Sequence, residues 1–93
     1  MEIEIRDNRD ENRFETVVDG HRCVLDYRID GNVITIPRVL VPPPVEGRGI
    51  AGKLTRHALD FSRDKGLSVV PKCPYVAAWI RRHPEYEDLV ARD

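Results

Sequence analysis

The stretch VEGRGIAGKL, residues 45–54, combines glycines and cations at the point where a helical pattern begins. Gly47 and Gly49 have no Cβ, so they let the chain curl its amides inward and let an anion approach the backbone. The first amides of a helix lack partners within the helix, and the helix dipole adds positive potential there. Arg48 and Lys53 add positive charge. These residue types in this order are typical of a phosphate-binding cradle.

Two familiar phosphate-binding motifs do not account for this stretch. The P-loop pattern G-x4-G-K-[ST] fails because Lys53 is followed by Leu54. A dinucleotide-binding fold is not indicated, because the chain has no second βαβ half. The alternative to a cradle is a glycine-rich turn that lets the helix pack close to a sheet.

The composition is that of an ordinary globular domain. The chain has 93 residues, of which 41% are hydrophobic and 33% charged, so we expect a single domain over residues 1–93. The formal net charge is −1, which gives no global basic field of the kind that duplex-binding proteins carry. We therefore expect no nucleic-acid partner, despite the local cations Arg48, Arg81 and Arg82.

No segment predicts a membrane span or a secretory signal. Apolar runs stay well short of the roughly 18 residues that a span needs, and the opening segment MEIEIRDNRD is highly charged. We expect a cytoplasmic protein in which Cys23 and Cys73 are reduced thiols. Neither cysteine has the closely spaced partners of a structural zinc site, so no metal is expected.

The first half of the chain predicts antiparallel strands. Asp19-Gly20 separates two apolar runs and is the dipeptide most typical of a tight hairpin turn. Pro37 interrupts a later run and predicts an edge, a bulge or a bend there. The expected strands are FETVV (14–18), HRCVLDYRI (21–29) and VITIPRVLV (33–41), preceded by a short strand in MEIEIRD.

The second half changes to a helical period. Lys65-Gly66 predicts the end of the first helix, and a right-handed crossover makes the strand LSVVP (67–71) parallel to the previous one. A last helix is predicted in YVAAWIRRH (75–83), before Pro84, with Val76, Trp79 and Ile80 facing the core. The inward face of the first helix is expected to carry Ile50, Leu54, His57, Ala58 and Phe61. The expected class is α+β, in which an antiparallel meander is joined by a crossover helix to a parallel strand and a C-terminal helix.

The glycine stretch and a later block together resemble a known family. Residues 46–51, EGRGIA, are similar to the Q/R-x-x-G-x-G/A motif of the GNAT N-acetyltransferase superfamily. KCPYVAAWIRRHPEY (72–86) resembles the C-P-[FY]-V…H-P-x-[YF] block of a short GNAT-like subfamily, and the likeness covers nearly the whole chain. The sequence departs from the pattern at Glu46, where the superfamily usually has Gln or Arg. It also departs at Arg38 and Val39, where the subfamily often has a His-Thr pair.

The resemblance implies a minimal GNAT-like fold that binds acetyl-coenzyme A. Strands 36–41 and 67–72 would splay apart to admit the pantetheine arm, and the glycine motif would hold the pyrophosphate. Arg48, Lys53 or Arg56 would reach the nucleotide end. The cofactor-binding residues implied in this way are Val41, Pro42, Gly47, Arg48, Gly49, Ile50, Ala51, Gly52, Lys53, Cys73 and Pro74.

Three residues are candidates for the chemistry of acetyl transfer. Cys73, at the end of the strand that lines the gap, is a candidate nucleophile or a wall residue near the thioester; its alternative is a small buried core residue. Tyr75 is a candidate acid for the leaving thiolate, or else an aromatic cap on the last helix. His83 is a candidate base near neutral pH, or else a helix-end histidine bonded to local carbonyls.

Two function classes stay open at this point. One is an acetyl-CoA-dependent N-acetyltransferase that acts on an unidentified amine. The other is a module that holds acetyl-CoA or CoA with little or no turnover. The second arises because the first half is almost all strand, whereas the resemblance implies N-terminal helices that wall the acceptor site. A homo-oligomer would supply that wall from a second subunit.

Overall fold

The structure is a computed structural model that describes residues 3–91. The elements are β1 (Arg6–Asn8), β2 (Arg13–Val18), β3 (His21–Asp30), β4 (Val33–Leu40), α1 (Ile50–Asp64), β5 (Ser68–Val70) and α2 (Pro74–Arg82), with 3₁₀ turns at Pro43–Val45 and Pro84–Leu89. Within these residues the strands form one five-stranded sheet in sequence order. Neighbours are antiparallel from β1 to β4 and parallel between β4 and β5. The expected α+β class is therefore confirmed.

The β2–β3 hairpin turns at Asp19 and Gly20, as the dipeptide predicted. Both residues have positive φ, 50° and 79°, which Asp and Gly tolerate and which matches the twist of the flanking strands. The register places Phe14 opposite Leu25, so both side chains face the helices and are fully buried. The short strand predicted in MEIEIRD lies at β1, while residues 1 and 2 fall outside the described part.

The helices cover one face of the sheet, and α1 buries a different set of residues from the one that its spacing predicted. His57 was expected to face inward but is exposed, whereas Thr55 and Ser62 are buried. The Thr55 hydroxyl donates to the Ala51 carbonyl at 2.8 Å, and the Ser62 hydroxyl donates to the Ala58 carbonyl at 2.7 Å. Because each hydroxyl is satisfied inside the helix, both side chains can enter the core without a desolvation penalty.

Pro37 lies at a β-bulge, one of the three outcomes that the sequence predicted. The register of β4 against β3 shifts between Arg38 and Thr35, where β4 contains one residue more than β3 does. A bulge bends the strand that carries it. Residues 38–40, at the end of β4, are therefore bent relative to residues 33–35, which pair with β5.

The helices within residues 3–91 are all too short or too polar to cross a membrane.

Because of Tyr27, the stability of the fold depends on pH in the alkaline range. Its ring is buried, and its hydroxyl donates to the Asp7 carboxylate of β1 at 2.5 Å. Burial first, and the Asp7 carboxylate second, raise the pKa of Tyr27 to about 12. The unfolded chain releases this proton near its ordinary pKa of about 10, so the folded state holds the proton more tightly between those two values.

We expect the free energy of unfolding to decline as the pH rises from about 10 towards 12, by up to about 2 kcal/mol from Tyr27. This contribution is fully present below about pH 10 and is lost as the pH rises to about 12. Tyr27→Phe cannot ionise and should show a shallower decline in urea unfolding measured across this range. Equal alkaline profiles for the variant and the wild type would contradict the assignment.

Candidate functional site

The site begins where β4 and β5 separate. β5 pairs with β4 only over Val33–Thr35, whereas β4 continues to Leu40. The amide of Cys73 then donates to the carbonyl of Ile36 at 2.9 Å. Beyond this bond, residues 38–40 pair with β3 on one side and, within residues 3–91, have no strand on the other side. This edge of β4 is therefore open to a ligand.

The glycine stretch carries the chain from β4 into α1. Gly47 and Gly49 both have left-handed backbone, with φ of 81° and 77°, a conformation that residues with a Cβ rarely adopt. Gly49 is the N-cap of α1 and provides no side-chain cap. The Lys53 amide donates to the Gly49 carbonyl at 3.1 Å, so the amides of residues 50–52 precede the first bond of the helix. Nothing in the described chain accepts a hydrogen bond from those three amides.

A groove of about 420 Å³ runs between the glycine stretch and the end of β4. The strand end gives it an apolar wall, and the glycine stretch gives it a wall of backbone. Glu46 is exposed on this rim and brings the groove a carboxylate. The lining residues are Val39, Leu40, Val41, Glu46, Gly47, Ala51 and Tyr75.

Four residues predicted for the site therefore line one groove, namely Val41, Gly47, Ala51 and Tyr75. Leu40 was not predicted, although its position beside Val41 on the unpaired end of a strand is a signal that could have found it. The other predicted glycine-stretch residues belong to the same turn: Ile50 is buried beneath it, while Arg48 and Gly49 are exposed.

Tyr75 reaches the groove from the first turn of α2. Pro74 starts this helix, where its missing N–H costs nothing. The Tyr75 hydroxyl lies 3.4 Å from the point where a Cβ on Gly52 would stand, so the first turns of α1 and α2 meet here. Burial raises the pKa of Tyr75 above its ordinary value. The phenol therefore keeps its proton at neutral pH and can donate it.

Cys73 lies at the gap, but its side chain belongs to the core. It is 6% exposed and packs in the hydrophobic cluster, and both it and Cys23 are free thiols. Its backbone joins the elements around the site. The Cys73 amide donates to Ile36 of β4, and the Cys73 carbonyl accepts a hydrogen bond from the Ala77 amide of α2 at 3.0 Å. This environment favours the packing alternative over a nucleophile. Pro42 has a comparable backbone role, since its carbonyl accepts the Val45 amide at 3.0 Å.

His83 lies outside the lining of the groove. Its Nδ1 is 2.8 Å from the Trp79 carbonyl oxygen, to which it donates, and its ring stacks on the Trp79 indole at 3.7 Å and 13°. This is the helix-end alternative that the sequence left open. The ring is therefore engaged by its own helix rather than aimed at the groove.

Two of the cations expected near a nucleotide are engaged elsewhere. Arg48 forms an ion pair with Asp19 in the β2–β3 turn. Arg56 donates to the Tyr86 hydroxyl at 3.2 Å, and its guanidinium lies 5.2 Å from the centre of the Trp79 ring. The start of α1 and its dipole contribute positive potential to the groove independently of these two side chains.

Comparison with known proteins agrees with this architecture. The family model of GCN5-related N-acetyltransferases matches residues 13–89. Protein NATD1 of Gallus gallus and that of Homo sapiens are each 29% identical over 85 residues; this is 88% of the present chain, 77% of the chicken protein and 75% of the human one. A GCN5-like protein from Staphylococcus aureus, solved by NMR in solution, has the same fold, with a TM-score of 0.75 and 24% identity over 95% of this chain and 87% of its own.

The matched residues 13–89 contain β2 to β5, the glycine stretch and both helices. The resemblance to the GNAT superfamily is thereby confirmed. Because the family model matches more than half of the chain, at residues 13–89, the chain belongs to the GCN5-related N-acetyltransferase family.

Proposed function

We propose that this protein transfers the acetyl group of acetyl-coenzyme A to an amine, with the cofactor held in the groove between β4 and α1. The proposal rests on one observation. The left-handed Gly49 caps α1, and the next three backbone amides donate no hydrogen bond to any described residue. Membership of an N-acetyltransferase family supports the class of reaction.

The residues around the groove fit a diphosphate and a pantetheine arm. The amides of residues 50–52 would donate to diphosphate oxygens, and the α1 dipole would stabilise the negative charge. A Cβ placed on Gly47 or Gly49 would meet no atom beyond the adjacent residues within 4 Å, so no other protein group fills the space beside these two glycines. The open edge of β4 at residues 38–40 offers backbone groups to the arm, and Val41 offers apolar surface.

The transfer itself moves one acetyl group and two protons. The amine nitrogen forms a bond to the thioester carbonyl carbon, and the bond from that carbon to sulfur breaks. The sulfur then gains a proton, while the nitrogen loses one. Tyr75 supplies the first proton, because its hydroxyl borders the groove and its raised pKa keeps it protonated. Water accepts the second proton and a proton from solvent then restores the Tyr75 hydroxyl, since water reaches the groove where Leu40 and Tyr75 are 47% and 38% exposed.

Incubation with labelled acetyl-CoA and a panel of amines tests the proposal. The panel should include small amines, peptides with free N-termini and peptides that contain lysine. We expect acetylated product to form faster than in buffer alone for at least one class. Binding without transfer would identify a cofactor-holding module instead. Intact-mass spectrometry of the protein should show no acetyl group on Cys73, in line with its buried side chain.

Acetyl-CoA should also raise the melting temperature. A ligand at about a hundred times its Kd that binds only the folded state adds about 2.7 kcal/mol of stability. For a domain of this size that corresponds to about 10 °C or more. Acetate at equal concentration is the control, because it lacks the diphosphate and the arm. A flat melting temperature at saturating acetyl-CoA would contradict both the enzyme and the module.

A further inference from the structure

Trp79 brings a second hydrogen-bond donor to the place where α1 and α2 meet. Its Nε1 lies 3.4 Å from the point where a Cβ on Gly52 would stand, which is also the distance of the Tyr75 hydroxyl from that point. An indole N–H and a phenol O–H therefore converge on the side of the first turn of α1. Gly52 belongs to the same first turn of α1 as the amides of residues 50–52, which also lack acceptors within the described chain.

The Trp79 N–H is itself unpaired although its side chain is deeply buried. Trp79 is 6% exposed, and no described residue accepts a hydrogen bond from Nε1. Within residues 3–91, no side-chain N or O atom is both sealed from solvent and without a partner. Nε1 therefore keeps access to the surface. The ring is thus buried while its N–H faces solvent at the first turn of α1, where an oxygen of a ligand can replace water as the acceptor.

The side chains that pack around the indole hold its N–H in one orientation. The His83 ring stacks on the indole at 3.7 Å, and the Arg56 guanidinium lies 5.2 Å from the ring centre. The Tyr86 ring contacts it from a third side, at 5.4 Å between centroids. A donor held in this way does not have to be ordered when a ligand binds, which favours affinity. His83 and Arg56 are thus positioning residues for the indole.

We propose that Trp79 is a cofactor-binding residue whose indole N–H donates to an oxygen of the diphosphate held at the first turn of α1. This inference rests on the proposed function of the groove. It also explains Gly52, whose backbone is not left-handed. A methyl group at this position would lie 3.4 Å from Nε1 and from the Tyr75 hydroxyl. That is ordinary contact without a clash, but the methyl group would cover both donors.

NMR can observe this donor directly, because the chain contains a single tryptophan and gives a single indole N–H signal. We expect saturating coenzyme A to move that signal, as a new hydrogen bond to an anionic oxygen would. Pantetheine at equal concentration lacks the diphosphate and should leave the signal in place. An indole signal that stays unmoved at saturating coenzyme A would overturn the inference, and so would one that pantetheine moves equally far.

Two substitutions test the same point by calorimetric titration with coenzyme A. Trp79→Phe keeps an aromatic ring but loses the N–H, and it should weaken binding roughly ten-fold. Gly52→Ala should weaken binding to a similar degree while raising the melting temperature, because alanine favours a helix interior over glycine. If Trp79→Phe does not fold, Gly52→Ala still tests the inference.

Tyr27→Phe is the matched control, because it also removes one polar hydrogen from a buried aromatic side chain, and the Tyr27 hydroxyl bonds Asp7 of β1 and contacts neither the indole nor the groove lining. It should bind coenzyme A within about two-fold of the wild type. Wild-type affinity in both Trp79→Phe and Gly52→Ala would overturn the role of Trp79 and leave the proposed function standing. A wild type that does not bind coenzyme A at all would instead overturn the proposed function, and the inference with it.

Discussion

Gly49→Val is expected to weaken acetyl-CoA binding by roughly a hundred-fold or more. Each hydrogen bond to a charged oxygen contributes about 1.5–3 kcal/mol, and a branched side chain here would obstruct more than one of them. The Cβ at Gly49 points into space that is clear of protein atoms to 4 Å, so the valine would fill the approach to the amides of residues 50–52. Calorimetric titration with acetyl-CoA measures the loss.

The backbone of Gly49 is left-handed, so the valine should also cost about 1–2 kcal/mol of stability. Gly66→Val separates this cost from the loss of binding. Gly66 follows the other end of α1 and has a φ of 69°, and a Cβ placed on it would likewise meet no protein atom within 4 Å. Both variants should lower the melting temperature to a similar extent, and only Gly49→Val should lose acetyl-CoA. Equal losses of affinity would mean that stability, not the groove, controls binding.

Tyr75→Phe should lower kcat for acetyl transfer by roughly a hundred-fold or more, the usual effect of removing a general acid. The Kd for acetyl-CoA should change by less than roughly ten-fold, because at most one hydrogen bond to the cofactor is lost. Burial raises the pKa of Tyr75, so the wild-type rate should not fall from its ionisation until the pH exceeds about 10. Steady-state kinetics across pH measure both effects.

Tyr27→Phe is the control for this change as well. The pKa of Tyr27 is also raised, first by burial and then by Asp7, but Tyr27 lies outside the groove lining. Its loss should leave kcat within about two-fold of the wild-type value. A Tyr75→Phe enzyme with wild-type kcat would show that the leaving sulfur takes its proton from another donor.

Features that depend on neighbouring residues alone were readable from the sequence. Asp19-Gly20 and Gly66 adopt the positive φ that their residue types permit, and the helix ends where Lys65-Gly66 predicted. Pro37 predicted an irregularity, but pairing with β3 decided that it would be a bulge. His57 was predicted to face inward, but it is exposed, although its ring contacts that of Phe14 at 5.0 Å between centroids. The burial of Thr55 was not predicted, because spacing does not reveal that its hydroxyl is satisfied within its own helix.

Within the site, the conformation of the glycine stretch depends on adjacent residues, and it was predicted. Contacts between residues far apart in the sequence were not predicted. Arg48 pairs with Asp19, 29 residues away, and nothing in the chain order indicates this partner. Trp79 was interpreted as a core residue, and its ring is indeed buried. The position of its N–H depends on how closely α1 and α2 approach, which Gly52 permits. Sequence spacing describes the face of one helix, not the distance between two.

The most direct test of a diphosphate site at the start of α1 is an NMR titration of the backbone amides with coenzyme A. We predict that the amide signals of residues 50–52 move most, together with those of Gly47 and Gly49, and saturate at the Kd found by calorimetry. Amides of residues 50–52 that stay unmoved while coenzyme A saturates the protein would contradict the proposed site.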